Sequence, residues 1–204
     1  MNKESFLYVV VFTFAVTFLF VFLLTAANVA TADRVKTNQE LVTAEAALNA
    51  AGVAPAAGED PLAAFKRVFG SDPAAAGDPS ALLRARVNGE DVLVQQFAGQ
   101  GLWGTITGML AVKSDVSRIV GLDIISHSET PGLGARIEEA WFKDQFRGEL
   151  IPAAGITVRK GDGSVDANHD NGVVDGITGA TLTSTSMQVM LNAEISRLRK
   201  EAAK

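Results

Sequence analysis

The chemically richest stretch of the chain lies between Asp175 and Thr185 and reads Asp-Gly-Ile-Thr-Gly-Ala-Thr-Leu-Thr-Ser-Thr. Gly176, Gly179 and Ala180 keep the backbone bare enough for a bulky ligand to approach, and the threonines and Ser184 supply hydroxyls. The segment immediately precedes a helix, whose first turn offers unpaired N–H groups and positive potential to an anion. Two readings fit: a phosphate site, or a helix N-terminus that Thr183 or Ser184 caps. Thr181 has no neighbouring His, Lys or Cys to activate its hydroxyl, so chemistry at that oxygen calls for a separate enzyme.

Other residue types narrow the field. The chain has no cysteine, which removes disulfides, zinc–thiolate and iron–sulfur sites and thiol nucleophiles. Its two histidines, His127 and His169, lie far apart with no metal-ligand spacing between them, and His127 reads as a strand-end residue. The loop Gly-Asp-Gly-Ser-Val-Asp-Ala-Asn-His-Asp-Asn-Gly places Asp166, Asn168 and Asp170 in an EF-hand-like start. Gly172 then falls one position late and Ile177 stands where a bidentate Glu is needed, so a solvated turn is expected. With 18 Lys+Arg against 23 Asp+Glu and no basic run to neutralise a phosphate backbone, the charge balance argues against nucleic-acid binding.

The elements that must position these residues follow from periodicity. Asp60-Pro61 opens a short amphipathic helix carrying Leu62, Phe65, Val68 and Phe69 and closing at Gly70. Ser-Asp-Pro-Ala-Ala-Ala-Gly-Asp-Pro-Ser reads as a surface connection. Alternating runs flank Asn88-Gly89, a hairpin signal, and a second strand pair follows at Thr-Ile-Thr-Gly-Met-Leu-Ala-Val-Lys and Arg-Ile-Val-Gly-Leu-Asp-Ile-Ile-Ser. Ile137, Ala140, Trp141 and Phe146 predict a helix ending at Gly148, with Trp141 in the core. Trp103, between glycines, is either a core residue or a ligand contact. Ile156–Lys160 is strand-like, and Met187, Leu191, Ile195 and Leu198 mark the last helix. The fold class is α+β, with a mainly antiparallel sheet flanked by helices.

Ahead of this domain, Ser5 to Ala32 contains no charged residue and holds six of the eleven Phe, enough apolar length for one transmembrane helix. Ala30-Thr31-Ala32 has the form of a cleavage site, but Phe6–Ala27 exceeds a signal-peptide core, so the helix is expected to be retained. Lys3 is offset by Glu4, and Arg34 and Lys36 follow the span, so charge leaves the orientation open. The expected organisation is an anchor over 1–32, a helical stalk over 33–56 and an extracytoplasmic domain over 57–204.

The run Asp175–Thr181 resembles the flavinylation motif D-x-x-[S/T]-G-A-T of the FMN-binding domain family, found in the component NqrC of the Na⁺-translocating NADH:quinone reductase (Nqr) and in its counterpart in the related Rnf electron transport complex. Ser128–Gly134 and Gly101-Leu102-Trp103 are similar to that family's H-x-E-T-P-G-L-G and G-L-W segments, in the expected order behind one span. The resemblance implies FMN joined covalently through its phosphate to the Thr181 oxygen by a flavin transferase that uses FAD and Mg²⁺, with Asp175 similar to the acidic residue the transferase recognises. Thr178, Gly179, Ala180, Leu182 and Thr183 flank the attachment point. Glu129, Thr130, Gly132 and Leu133 are implied to lie at the isoalloxazine ring, with Trp103 nearby. No residue is implied as catalytic and none as a metal ligand.

The implied function is electron relay within an ion-translocating oxidoreductase at the cell membrane, with the domain on the periplasmic side and other proteins of the complex as partners. The lack of a nicotinamide-binding fingerprint agrees with a relay. The Nqr-type complex is preferred over the Rnf type. A stand-alone membrane-tethered flavoprotein reductase and a non-redox binding module are the alternatives.

Overall fold

The computed structural model describes residues 6–160 and 165–202. The chain divides into two compact units, one ending at Gln39 and one running from Glu40. Helix α1 (Phe6–Ala51) runs from the first unit into the second, and in the first it carries outward-facing apolar side chains on every side, from Phe6 through Leu24 to Val29. A helix apolar all round suits lipid rather than water. Phe14, Phe18 and Phe22 stack in a row one turn apart, and the helix is long and apolar enough to cross a membrane.

The second unit is built on an antiparallel meander, β1 (Leu83–Val87), β2 (Glu90–Gln100), β3 (Thr105–Lys113) and β4 (Ile119–Ser126), paired in chain order. Asn88 and Gly89, with φ of 53° and 84°, close the first hairpin in the doubly left-handed turn that the twist of the strands favours. Alternation sends side chains to both faces, and both are covered. One face, with Val92, Val94, Met109 and Ala111, packs on α2 (Pro61–Phe69) and on the last turns of α1, where Ala44, Ala47, Leu48 and Ala51 are buried. The small alanines let that helix sit close: a Cβ on Gly121 of β4 would lie 2.7 Å from the Ala50 carbonyl. The start of α2 is as the sequence predicts, with Asp60 accepting from Ala63 N–H and Gly70 left-handed at the end.

The other face, with Leu93, Phe97, Ile106, Leu110 and Leu122, packs on α4 (Thr181–Ala202), which buries Met187, Leu191, Ile195 and Leu198 almost completely. Fully burying each such side chain contributes about 1.5–3 kcal/mol, so this seam is what fixes the position of the start of α4.

Three elements differ from their sequence reading. The helix expected from Ile137 to Gly148 is a 3-10 turn (Gly134–Glu138) followed by the short α3 (Ala140–Asp144), because Glu139 between them is extended, at φ −66° and ψ 142°. Ile137, Phe142 and Phe146 still reach the core; Trp141 rests at its edge, edge-on to Phe142 and under the Arg136 guanidinium. The expected surface connection folds as a second 3-10 turn (Pro73–Gly77), capped by Asp72 and burying Pro73 and Ala76. The strands β5 (Thr157–Arg159) and β6 (Val173–Asp175) pair in parallel and set Arg159 opposite Asp175.

Candidate functional site

A buried carboxylate organises the site. Glu129, 4% exposed, follows β4 in the loop that returns to the Gly134–Glu138 turn. Its Oε1 accepts from the N–H groups of Leu102 at 2.9 Å and Trp103 at 3.0 Å, and its Oε2 accepts from the Thr183 hydroxyl at 2.5 Å. One side chain thus joins the glycine-rich turn between β2 and β3 to the first turn of α4. Three donors compensate a group that burial alone would penalise. The approach is tight: a Cβ on Gly101 would stand 2.6 Å from Glu129 Oε1, and one on Gly134 2.6 Å from Thr183 Oγ1.

On the segments that this clamp joins, several apolar side chains are exposed. Trp103 is 68% exposed, Leu182 62%, Leu102 47% and Leu133 44%. That exposure answers the alternative left open for Trp103, which is not a core residue. Thr181 is the first residue of α4 and is exposed, as are Thr178 and Gly179 before it and Thr130 and Gly132 in the facing loop. Gly179 has φ +82°, and a Cβ on it would lie 3.2 Å from Leu133 Cδ2, so the loop and the approach to α4 are in contact here. The amides of the first turn of α4 have no preceding helical carbonyl to bond. Of the residues singled out from sequence, Thr130, Gly132, Leu133, Trp103, Thr178, Gly179, Thr181 and Leu182 therefore share the surface, while Glu129, Asp175, Ala180 and Thr183 lie beneath it.

Neither Thr183 nor Ser184 caps the helix, because it begins earlier, at Thr181. Ser184 Oγ accepts from the Ile177 N–H at 2.9 Å and donates to the Ala180 carbonyl at 3.0 Å, so it braces the turn from within. Asp175 is 2% exposed: its N–H donates to Gln145 Oε1, Gln145 Nε2 donates to its carbonyl, and its Oδ1 accepts from Arg159 Nε at 2.5 Å. The carboxylate faces an arginine rather than open solvent, and it fixes β6 where the chain turns toward Thr181.

Sequence reading missed two cations. Arg159 and Lys160, at the end of β5, line a small hollow together with Thr178, Gly179, Thr181 and Thr185. Only the parallel pairing of β5 with β6 brings them there, and no spacing in the sequence signals it. The acidic loop Asp162–Asp170 lies partly outside the described residues. Within its described part Asp166 accepts from Asn168 N–H and Asn171 Nδ2, Asp170 pairs with Arg118, and Arg159 reaches Asp166 at 3.7 Å. Beside it, burial pushes the Glu149 carboxyl above its ordinary range, opposed by the Gly172 N–H that it accepts at 2.6 Å and by the neighbouring His169.

Residues 101–196 match the FMN-binding domain family. Over 109 residues, 50% of this chain and 41% of the relative, the sequence is 38% identical to the Na(+)-translocating NADH-quinone reductase component NqrC of Pseudomonas aeruginosa. Over 140 residues, 61% of this chain and 52% of the relative, it is 34% identical to the same component of Pasteurella multocida. The aligned region thus spans about half the length of these curated relatives. Among solved structures, the corresponding Na(+)-translocating NADH-quinone reductase component from Parabacteroides distasonis aligns with a TM-score of 0.66 at 26% identity, covering 84% of this chain and 97% of that one. NqrC of Shewanella oneidensis has the same fold, with a TM-score of 0.69 at 19% identity over 82% of this chain and 99% of that one. Residues 101–196 thus resemble FMN-binding domains, and the chain is similar to the NqrC component of the Na⁺-translocating NADH-quinone reductases.

Proposed function

We propose that this chain is a membrane-anchored electron carrier of an Na⁺-translocating NADH:quinone reductase, holding FMN through a phosphoester on Thr181. The observation that carries the reading is exposed Thr181 at the first turn of α4, sharing a hollow with Arg159 and Lys160, with Leu182 exposed beside it and Leu133 exposed against Gly179. A flavin mononucleotide joined to Thr181 asks for that combination: an anionic phosphodiester at one end and a largely apolar ring system at the other. First-turn amides, Arg159 and Lys160 suit the phosphate, and Trp103, Leu133 and Leu182 suit the ring.

In maturation, Thr181 Oγ1 forms a bond to the flavin-side phosphorus of FAD. The P–O bond to the adenylate breaks, AMP leaves, and the hydroxyl proton passes to a base of a separate Mg²⁺-dependent flavin transferase. Bound FMN supplies one- and two-electron redox chemistry. The chain's own part is to hold the apolar surface rigid through Glu129, to offset phosphate charge and to present the site to neighbouring proteins of the complex. The domain lies on the periplasmic side, with α1 as the single anchor and the N-terminus inside.

The test is a Thr181→Ala chain assembled into its native complex. The complex is expected to form with its other components present while NADH-driven quinone reduction falls to background. Undiminished turnover by that complex would overturn the proposal.

A further inference from the structure

His127 directly follows β4, where the loop leading to Leu133 begins. Its side chain is 11% exposed. Its Nδ1 accepts the Glu129 N–H at 3.0 Å, and its Nε2 stands 3.0 Å from Glu138 Oε1 in the Gly134–Glu138 turn. A nitrogen that accepts an N–H carries a lone pair and no proton. The imidazole is therefore neutral, with its hydrogen on Nε2 directed at Glu138.

These two bonds close the loop on itself. The chain leaves at His127, makes a tight turn in which the Thr130 carbonyl accepts from Leu133 and Ala135 N–H, and returns to Glu138 on the far side of the same ring. Glu129 is bonded at both ends: its N–H to His127, its carboxylate to Leu102, Trp103 and Thr183. The position of its backbone decides where the carboxylate reaches. The strand beside this corner pairs Thr107 with Ser126, both uncharged, and Arg136 is held by Glu139, so Glu138 is the charged partner that the ring meets.

We propose that His127, as the neutral Nε2–H tautomer, is a positioning residue that latches the Ser128–Gly134 loop and, through Glu129, sets the Trp103 side of the flavin surface. The choice of ligand rests on the FMN reading of that surface. The latch itself rests on the Nδ1 bond to the Glu129 N–H, with the Glu138 contact holding the ring in place. Substitution by Asn places Oδ1 where Nδ1 stood and keeps the acceptor, whereas Gln reaches only the Nε2 position and Ala fills neither.

The experiment compares the full-length wild type with His127→Ala, His127→Gln and His127→Asn in detergent, expressed with and without a flavin transferase. Amide hydrogen exchange over residues 127–134 and 101–104 is expected to quicken about tenfold in the Ala and Gln variants, with α4 from Met187 to Leu198 unchanged and the Asn variant like wild type. In flavin-loaded material the visible flavin band is expected to move with Ala and Gln and to stay with Asn. Asn behaving like Ala, or Ala exchanging like wild type, would overturn the latch. Wild type that takes up no flavin while the exchange pattern holds would sink the FMN reading and leave the latch standing.

Discussion

Thr181 is the exposed first residue of α4 and shares a hollow with Arg159 and Lys160. Its importance is visible in the sequence because the residues around it are contiguous. Glu129 is different. The resemblance implies a place at the ring, yet its carboxylate turns inward to three donors, and what reaches the surface from its loop is Thr130, Gly132 and Leu133. Glu129→Gln keeps the shape but puts an amide NH₂ where an acceptor is needed, and the Thr183 hydroxyl can rotate to relieve only part of that mismatch. The expected loss is about 1.5–3 kcal/mol of unfolding free energy, read from urea denaturation. A loss under about 0.5 kcal/mol, within the range of ordinary surface changes, would mean that the clamp contributes little.

At the scale of elements, α4 does two things at once. Its apolar stripe packs on the sheet, and its first turn carries Thr181, the proposed attachment point. The stripe repeats every three to four residues, so the helix was legible from sequence, as were the Asn88-Gly89 hairpin and the capped α2. The 3-10 turn and α3 were not, because Ile137, Phe142 and Phe146 are buried at a spacing that also fits one helix, and only the extended backbone at Glu139 separates them. The β5–β6 pair was unreadable for another reason: parallel pairing across a polar loop leaves no local signal, and with it went Arg159 and Lys160. On α4 itself Glu194 is 9% exposed, and burial raises its pKa above the ordinary 4.5, with Arg197 pulling the other way. The neutral form is thus favoured in the fold. Its stabilising contribution is complete below the unfolded pKa and is lost as pH rises through the folded one. Glu194→Gln should therefore raise the thermal midpoint relative to wild type at pH 8 and bring the two proteins together near pH 4. A difference that does not shrink on acidification would show that the side chain stabilises by other means.

At the scale of the whole molecule, the sequence separates sharply into an uncharged, Phe-rich stretch and an acidic domain of mixed charge, and this contrast predicts where the protein resides. The outward-facing apolar side chains of α1 from Phe6 to Val29 have no use in water. Washing native membranes with alkaline carbonate should leave the chain in the pellet, whereas release into the supernatant would show that α1 does not span the bilayer. The second unit presents an exposed threonine at the start of its last helix, the residue on which the proposed flavin attachment rests. The most direct test is the intact mass of natively expressed chain under denaturing conditions, followed by peptide mapping. The account predicts one denaturation-resistant FMN phosphoester on the peptide containing Thr181, absent from Thr181→Ala. An unmodified mass, in a host that flavinylates other proteins, would contradict it.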